Sequence, residues 1–336
     1  MRLELPFIHG ISDTINRLPD PKIVSDVYFS DARLSNSARY IWYDEPEGED
    51  EKWLEIMSMK VRHGIEPHYV INPSVWNNDA YTESGIQELT DILDKVWGKG
   101  CTWLTLNNPL LLQMRDFRDN IPPFKIKLSI NNHISTLEEV QFAYKNSNVR
   151  HFVLDRKINR NLDELIRISK WCEQEDCSIT LLAQEQCLPN CVWKNVCDNM
   201  IATYKHHDLH EVNDTQNIHA QHLCHAHYDN ISPADIFKSP TILPSMLDIY
   251  EPHVDYIKIA GREFMIDRLS AIIRAYADRC DDMLVTTLLS KASNALQGTN
   301  LIELQDHGVN HKWKNCKMKC ADCNFCDELY NKLINE

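Results

Sequence analysis

A TIM-type (β/α)8 barrel is the fold that this 336-residue sequence predicts. Two observations carry the expectation. Short apolar runs alternate with amphipathic segments through most of the length, the pattern of a parallel sheet with helical crossovers. The runs can be counted to eight, and a closed barrel needs eight strands and roughly 250 residues or more.

The run KIVSDVYFS (22–30) reads as the first strand and PHYVINPS (67–74) as the second. The segment 83–100 then carries Ile86, Leu89, Ile92, Leu93 and Val96 at helical spacing and ends at a glycine. CTWLTLN (101–107) is the third strand, followed by a short helix opened by Pro109. FKIKLSIN (124–131) is the fourth, and Ser135 with Glu138 predicts a capping box on the helix after it. HFVLD (151–155) is the fifth strand, and the helix that follows places Leu162, Leu165, Ile166 and Ile168 together. SITLLAQ (178–184), SPTILPS (239–245) and VDYIKIAG (254–261) supply the sixth, seventh and eighth.

The expected organisation is a barrel over 1–281 that includes a Cys/His-rich insert at 185–238, after strand six, and a cysteine-rich C-terminal tail over 282–336. The insert holds seven of the fifteen histidines: His206, His207, His210, His219, His222, His225 and His227. An apolar fraction of 43% is enough for a large core, while a formal charge of −14 argues against nucleic acid as a partner.

The opening MRLELPFIHG lacks the basic start, apolar core and cleavage site of a signal peptide. CTWLTLNNPLLLQM, the longest apolar-leaning run, is too short to span a bilayer and contains Asn107 and Asn108. A cytoplasmic protein without membrane association is therefore expected. Thiols stay reduced there, so clustered cysteines read as metal ligands rather than disulfides. The scattered Cys101, Cys172, Cys177 and Cys280 read as small buried hydrophobes.

Two cysteine groups stand out. Cys187, Cys191 and Cys197 follow strand six, at the barrel face where the loops after the strands gather and where chemistry sits. Cys224 completes a set of four, Cys-x3-Cys-x5-Cys-x26-Cys. Spacing leaves a 4Fe–4S cluster and zinc equally open, and the neighbouring histidines suit zinc. The tail run Cys316-x3-Cys320-x2-Cys323-x2-Cys326 lets four thiolates converge from one loop, as in bacterial-type iron–sulfur sites, with a zinc knob as the alternative. Its first three cysteines match the radical S-adenosylmethionine motif. That motif follows the first barrel strand, however, so its place in the tail rejects the identity.

Other candidates sit at strand ends. Lys258 lies on the last strand, and Arg262 follows Gly261 at a helix start, where a cation opposes the dipole. An anionic partner explains Arg262; an ion pair with Asp267 explains it too. Arg156 and Arg160 follow strand five, on a loop that could equally be solvated. Glu185 adjoins the first cysteine group and would serve as acid or base only with a raised pKa; otherwise it positions a ligand.

The stretches VLDRKINRNLDELIRI, LLAQEQCLPNC and VDYIKIAGRE, in this order and spacing, resemble the peptidase U32 family, also called collagenase-like peptidases. The similarity covers roughly residues 65–280. It implies a TIM-type barrel with one 4Fe–4S cluster held by Cys187, Cys191, Cys197 and Cys224. It also implies kinship with oxygen-independent hydroxylases that act on RNA bases or quinone precursors, with an anionic oxygen donor. Two positions depart from the family pattern: Gln184 replaces the usual Asn before the Glu, and KIAGR replaces KIEGR.

The function expected is thus an iron–sulfur enzyme performing oxygen-independent hydroxylation or related redox chemistry on a small or carrier-bound molecule, served by an electron-transfer partner. Lys258, Arg262 and Arg156 would hold an anion. A zinc-stabilised binding protein and a peptidase are the rival expectations.

Overall fold

The computed structural model describes residues 1–30, 49–73, 81–188, 191–199, 224 and 227–335. Eight parallel strands close a barrel in chain order. They are β1 (Arg2–Pro6), β2 (Val24–Phe29), β3 (Glu66–Ile71), β4 (Trp103–Leu106), β5 (Lys125–Leu128), β6 (His151–Val153), β7 (Ser178–Leu182) and β8 (Tyr256–Lys258). Closure comes from β1 pairing with both β2 and β8, where Glu4 lies opposite Asp26 and Lys258.

The fold class stands, but the strand count is reached by a different route. RLELP at the N-terminus is β1, and every residue after Arg2 in it is buried. The seventh expected strand, 239–245, joins no sheet among the described residues. Pro240 and Pro244 cannot donate to a ladder, and the segment leads into a 3-10 turn at Pro244–Met246. Its Ile242 N–H still bonds the Ala183 carbonyl at 2.8 Å, so the segment plugs the end of β7. The cysteine insert therefore follows the seventh strand rather than the sixth.

The helices form where the apolar spacing places them. Glu83–Gly98 is capped by Thr82 and buries Ile86, Leu89, Leu93 and Val96. The capping box on Leu137–Ser147 uses Thr136 and Glu139, one residue later than the sequence suggested. The shift follows the first helical residue, because the cap must reach the N–H three positions on. The last barrel helix starts at Ile266, so Arg262 lies in the preceding turn rather than on the helix. Gly261 makes that turn at φ +123°, where a Cβ would sit 2.5 Å from the Phe264 ring.

The interior of the barrel is unusual. Branched apolar layers normally fill such a barrel, yet Glu4, Asp26, His68, Thr105, Lys127, His151 and Thr180 are buried at its centre. Glu4 on β1 accepts from Lys127 on β5 and, at 2.7 Å, from Thr180 on β7. His68 Nε2 meets Thr105 Oγ1 at 2.8 Å, and its Nδ1 lies 3.6 Å from Asp26. Apolar packing surrounds this layer. Leu288, Leu301, Val309, Trp313 and Leu329 of the tail join the same hydrophobic cluster as the barrel helices. Among the described residues no helix is long and apolar enough to cross a membrane.

Candidate active site

The C-terminal ends of β6 and β7 build a cavity of about 460 Å³. Arg156, Glu185, Cys187 and Cys191 line it together with His133 and Lys194. The 3-10 turn Arg156–Arg160 brings Arg156 there, capped by the Asp155 side chain on the Lys157 N–H. Asn159 pins the turn with bonds to the Leu182 carbonyl (2.7 Å) and the Pro240 carbonyl (2.8 Å).

Glu185 organises the start of the insert. Its carboxylate pairs with Arg156 and accepts the backbone N–H groups of Gln186 (2.8 Å) and Cys187 (2.6 Å). Burial raises its pKa, but Arg156 and these N–H donors outweigh burial and hold it at about 2. Glu185 is therefore ionised at neutral pH and acts as a positioning group, since a general acid needs the opposite shift. Arg156 is correspondingly a tether for the cysteine loop. The next residue is held just as firmly: the Gln186 carbonyl accepts from Tyr228 OH (2.9 Å), and its side chain accepts the Lys291 N–H (3.0 Å).

Of the four insert cysteines, Cys187 and Cys191 share this cavity. Burial, with Asp198 and Cys224 nearby, pushes the Cys197 thiol up, and Tyr228 lies near both Cys187 and Cys224. All four are half-buried, and Arg156, Lys194 and Lys291 lie close to Cys187. Four soft thiols flanked by cations suit an anionic metal–thiolate centre. Among the described residues, however, no three His, Cys, Asp or Glu side chains converge as ligands of one ion. Six of the seven insert histidines lie outside the described residues; His227 instead meets Asp235 at 2.7 Å.

Lys258 and Arg262 form a separate group around Tyr28. The Lys258 ammonium lies 3.9 Å from the ring centre and the Arg262 guanidinium 5.5 Å. Burial lowers the Lys258 pKa, Glu4 opposes, and Lys127 and Arg262 push further down, to about 8. The structure does not place these two cations on the wall of the cysteine cavity.

Sequence reasoning missed several participants. Lys194, paired with Asp198, and His133, 3.0 Å from Asp155, had no motif to mark them. Gln184, noted only as a departure from the U32 pattern, is 3% exposed, and its side-chain amide atoms find no hydrogen-bond partner among the described residues. Charged residues in mid-strand, as in RLELP and FKIKL, were the available signal for the interior network. Cys280, expected inside, is exposed, because it follows the end of its helix.

The chain is 26% identical over 279 residues to an uncharacterized protease of Methanocaldococcus jannaschii, covering 81% of this chain and 78% of the relative. The chain resembles the U32 peptidases. A solved U32 peptidase gives a TM-score of 0.46 at 10% identity, over 78% of this U32-like chain and 93% of that one. An enolase of the mandelate racemase subgroup from Agrobacterium tumefaciens gives 0.36, over 60% and 51%. No family model matches the chain. The barrel itself rests on its own strand pairing.

Proposed function

We propose that this U32-like chain is an iron–sulfur enzyme of the barrel mouth, carrying out oxygen-independent hydroxylation or related redox chemistry on a small or carrier-bound molecule. The observation that carries the reading is the arrangement of Glu185: it clamps Arg156 with one face and the Cys187 backbone with the other, on the wall of the 460 Å³ cavity. A residue spent on holding a cysteine loop rigid at the catalytic end of a barrel supports a ligand role for that loop.

Cys187, Cys191, Cys197 and Cys224 would hold a 4Fe–4S cluster. When bound, the cluster supplies redox capacity and an iron face for an oxygen-bearing group. The chain's own residues do the rest. Glu185 fixes the loop, the Gln184 amide, unpartnered among the described residues, offers a donor and an acceptor, and Lys258 with Arg262, set apart from the cavity wall around Tyr28, would draw an anionic oxygen donor toward the mouth. An electron-transfer partner and a cytoplasmic setting belong to the same proposal.

Anaerobic purification tests it. Brown protein with matched iron and sulfide is expected, and loss of this cluster when any of the four cysteines is changed to Ser. Colourless protein carrying zinc alone at these cysteines would sink the reading in favour of a zinc-stabilised binding protein.

The M. jannaschii relative is described as a protease, which makes peptide hydrolysis the second reading. Thr105, His68 and Asp26 line up as hydroxyl, imidazole and carboxylate, in the order of a nucleophilic triad. His68 and Thr105 are each only 2% exposed in the barrel interior, however, and a peptide cannot reach them. The geometry therefore favours the redox reading.

A further inference from the structure

The four tail cysteines converge on a second cavity. Cys316, Cys320, Cys323 and Cys326 all line a space of about 180 Å³ between the tail and the barrel. Arg160, Lys238, Lys312, Lys317 and Lys319 also contribute to the wall, and no carboxylate does. Lys238 is paired with Asp235 and Asp327, and Lys317 with Asp163, which leaves Arg160 as the buried cation on this wall that no carboxylate is shown to meet.

Two buried donors aim at the same region without partners. Arg160 is 3% exposed; its Nη2 bonds the Ser239 carbonyl at 3.0 Å, while Nη1 has no hydrogen-bond partner among the described residues. The guanidinium stacks 3.8 Å from the Trp313 ring centre, and Trp313 Nε1, on a side chain only 2% exposed, is also unpartnered. Burying such donors unpaired is costly, and more so for a charged group. A bound group with acceptor atoms removes that cost.

We infer that the tail cysteines hold a second iron–sulfur cluster, seated against Arg160 and Trp313. The four thiols line one common cavity, and their spacing of three, two and two residues suits a cubane held from one loop. Cluster sulfides add acceptors beyond the four cysteine sulfurs, and these answer the Arg160 and Trp313 donors. The seat is also linked to the mouth. Arg156 and Arg160 are the two ends of one five-residue 3-10 turn, the first facing the mouth cavity and the second the tail cavity. Met318 lies in both walls, so the two cavities adjoin there.

The test is iron, sulfide and zinc content of the anaerobically purified full chain, compared with Cys320→Ser, Cys323→Ser and Cys191→Ser. Wild-type protein should carry about eight irons, and each tail variant about four, with a matching loss of sulfide. Zinc at about one per chain that disappears in the tail variants would overturn the inference, as would unchanged iron in both. Loss of all iron in Cys320→Ser with none lost in Cys191→Ser would uphold the tail cluster while removing the mouth cluster of the proposed function. Arg160→Lys supplies an independent readout. It keeps the charge but loses the fork, and the electron paramagnetic resonance signal that Cys320→Ser removes should change shape or fall in intensity. An identical spectrum would overturn the role given to Arg160.

Discussion

Glu4 and Lys127 form an ion pair straight across the barrel, each 1% exposed and four strands apart in the sheet. Neither charge can reach water, so each depends on the other. Removing one partner, as in Lys127→Met, is expected to cost about 3–5 kcal/mol because it strands a buried charge. Replacing both, Glu4→Gln with Lys127→Met, should recover much of that loss. Urea unfolding of the single and double variants measures it, and additive losses would mean the pair is not coupled.

The same layer makes the fold sensitive to acid. Burial and Lys127 push His68 down to about 4 against an ordinary 6.5, and His151 falls well below its ordinary value for the same two reasons. Between pH 6.5 and about 4 the unfolded chain therefore binds protons that the native chain does not, and stability falls as pH falls. For His68 alone the loss is up to about 3 kcal/mol. Asp26, held at about 2 by Lys127 and His68 against burial, adds a further loss from about 3.8 downward. Denaturant midpoints across pH 4–7 should slope accordingly, and less steeply in His68→Gln.

Lys258 has the opposite arithmetic to a surface lysine. Its folded pKa of about 8 lies below the ordinary 10.5, so the native state loses this proton first and gains stability as pH rises through that window. Half-buried, it should also react with amine reagents at pH 8–9 ahead of exposed lysines. Peptide mass mapping after brief labelling checks this; equal labelling of Lys258 and surface lysines at pH 7 and 9 would contradict it.

Glu185→Gln removes the charge that compensates Arg156 and leaves the Cys187 N–H a weaker, neutral acceptor. A loss of about 3–5 kcal/mol is expected from the uncompensated Arg156 charge. The cysteine loop should loosen with it, read as faster hydrogen exchange at Gln186 and Cys187. Stability within about 0.5 kcal/mol of wild type would show that the clamp contributes nothing.

Parallel α/β alternation, the place of Cys187 just past a strand and the grouping of the tail cysteines are all legible in the sequence. Those are local signals: hydrophobic period, turn residues and spacing survive in one dimension. The sequence misplaced two of the eight strands for a local reason as well. RLELP is shorter than the runs that periodicity finds easily, whereas SPTILPS is apolar enough to pass for a strand until its prolines deny it a ladder. The U32 resemblance, read from three short stretches, needed no coordinates either.

What those residues meet depends on the folded chain. Arg156 turned out to be tied to Glu185, and Arg160, four positions on, to be stacked on Trp313 from the tail. Glu4 found Lys127 across 123 residues. The physical reason is common to all three. A charge reveals its task only through the partner that compensates its burial, and closure of the barrel, not chain spacing, brings those partners together.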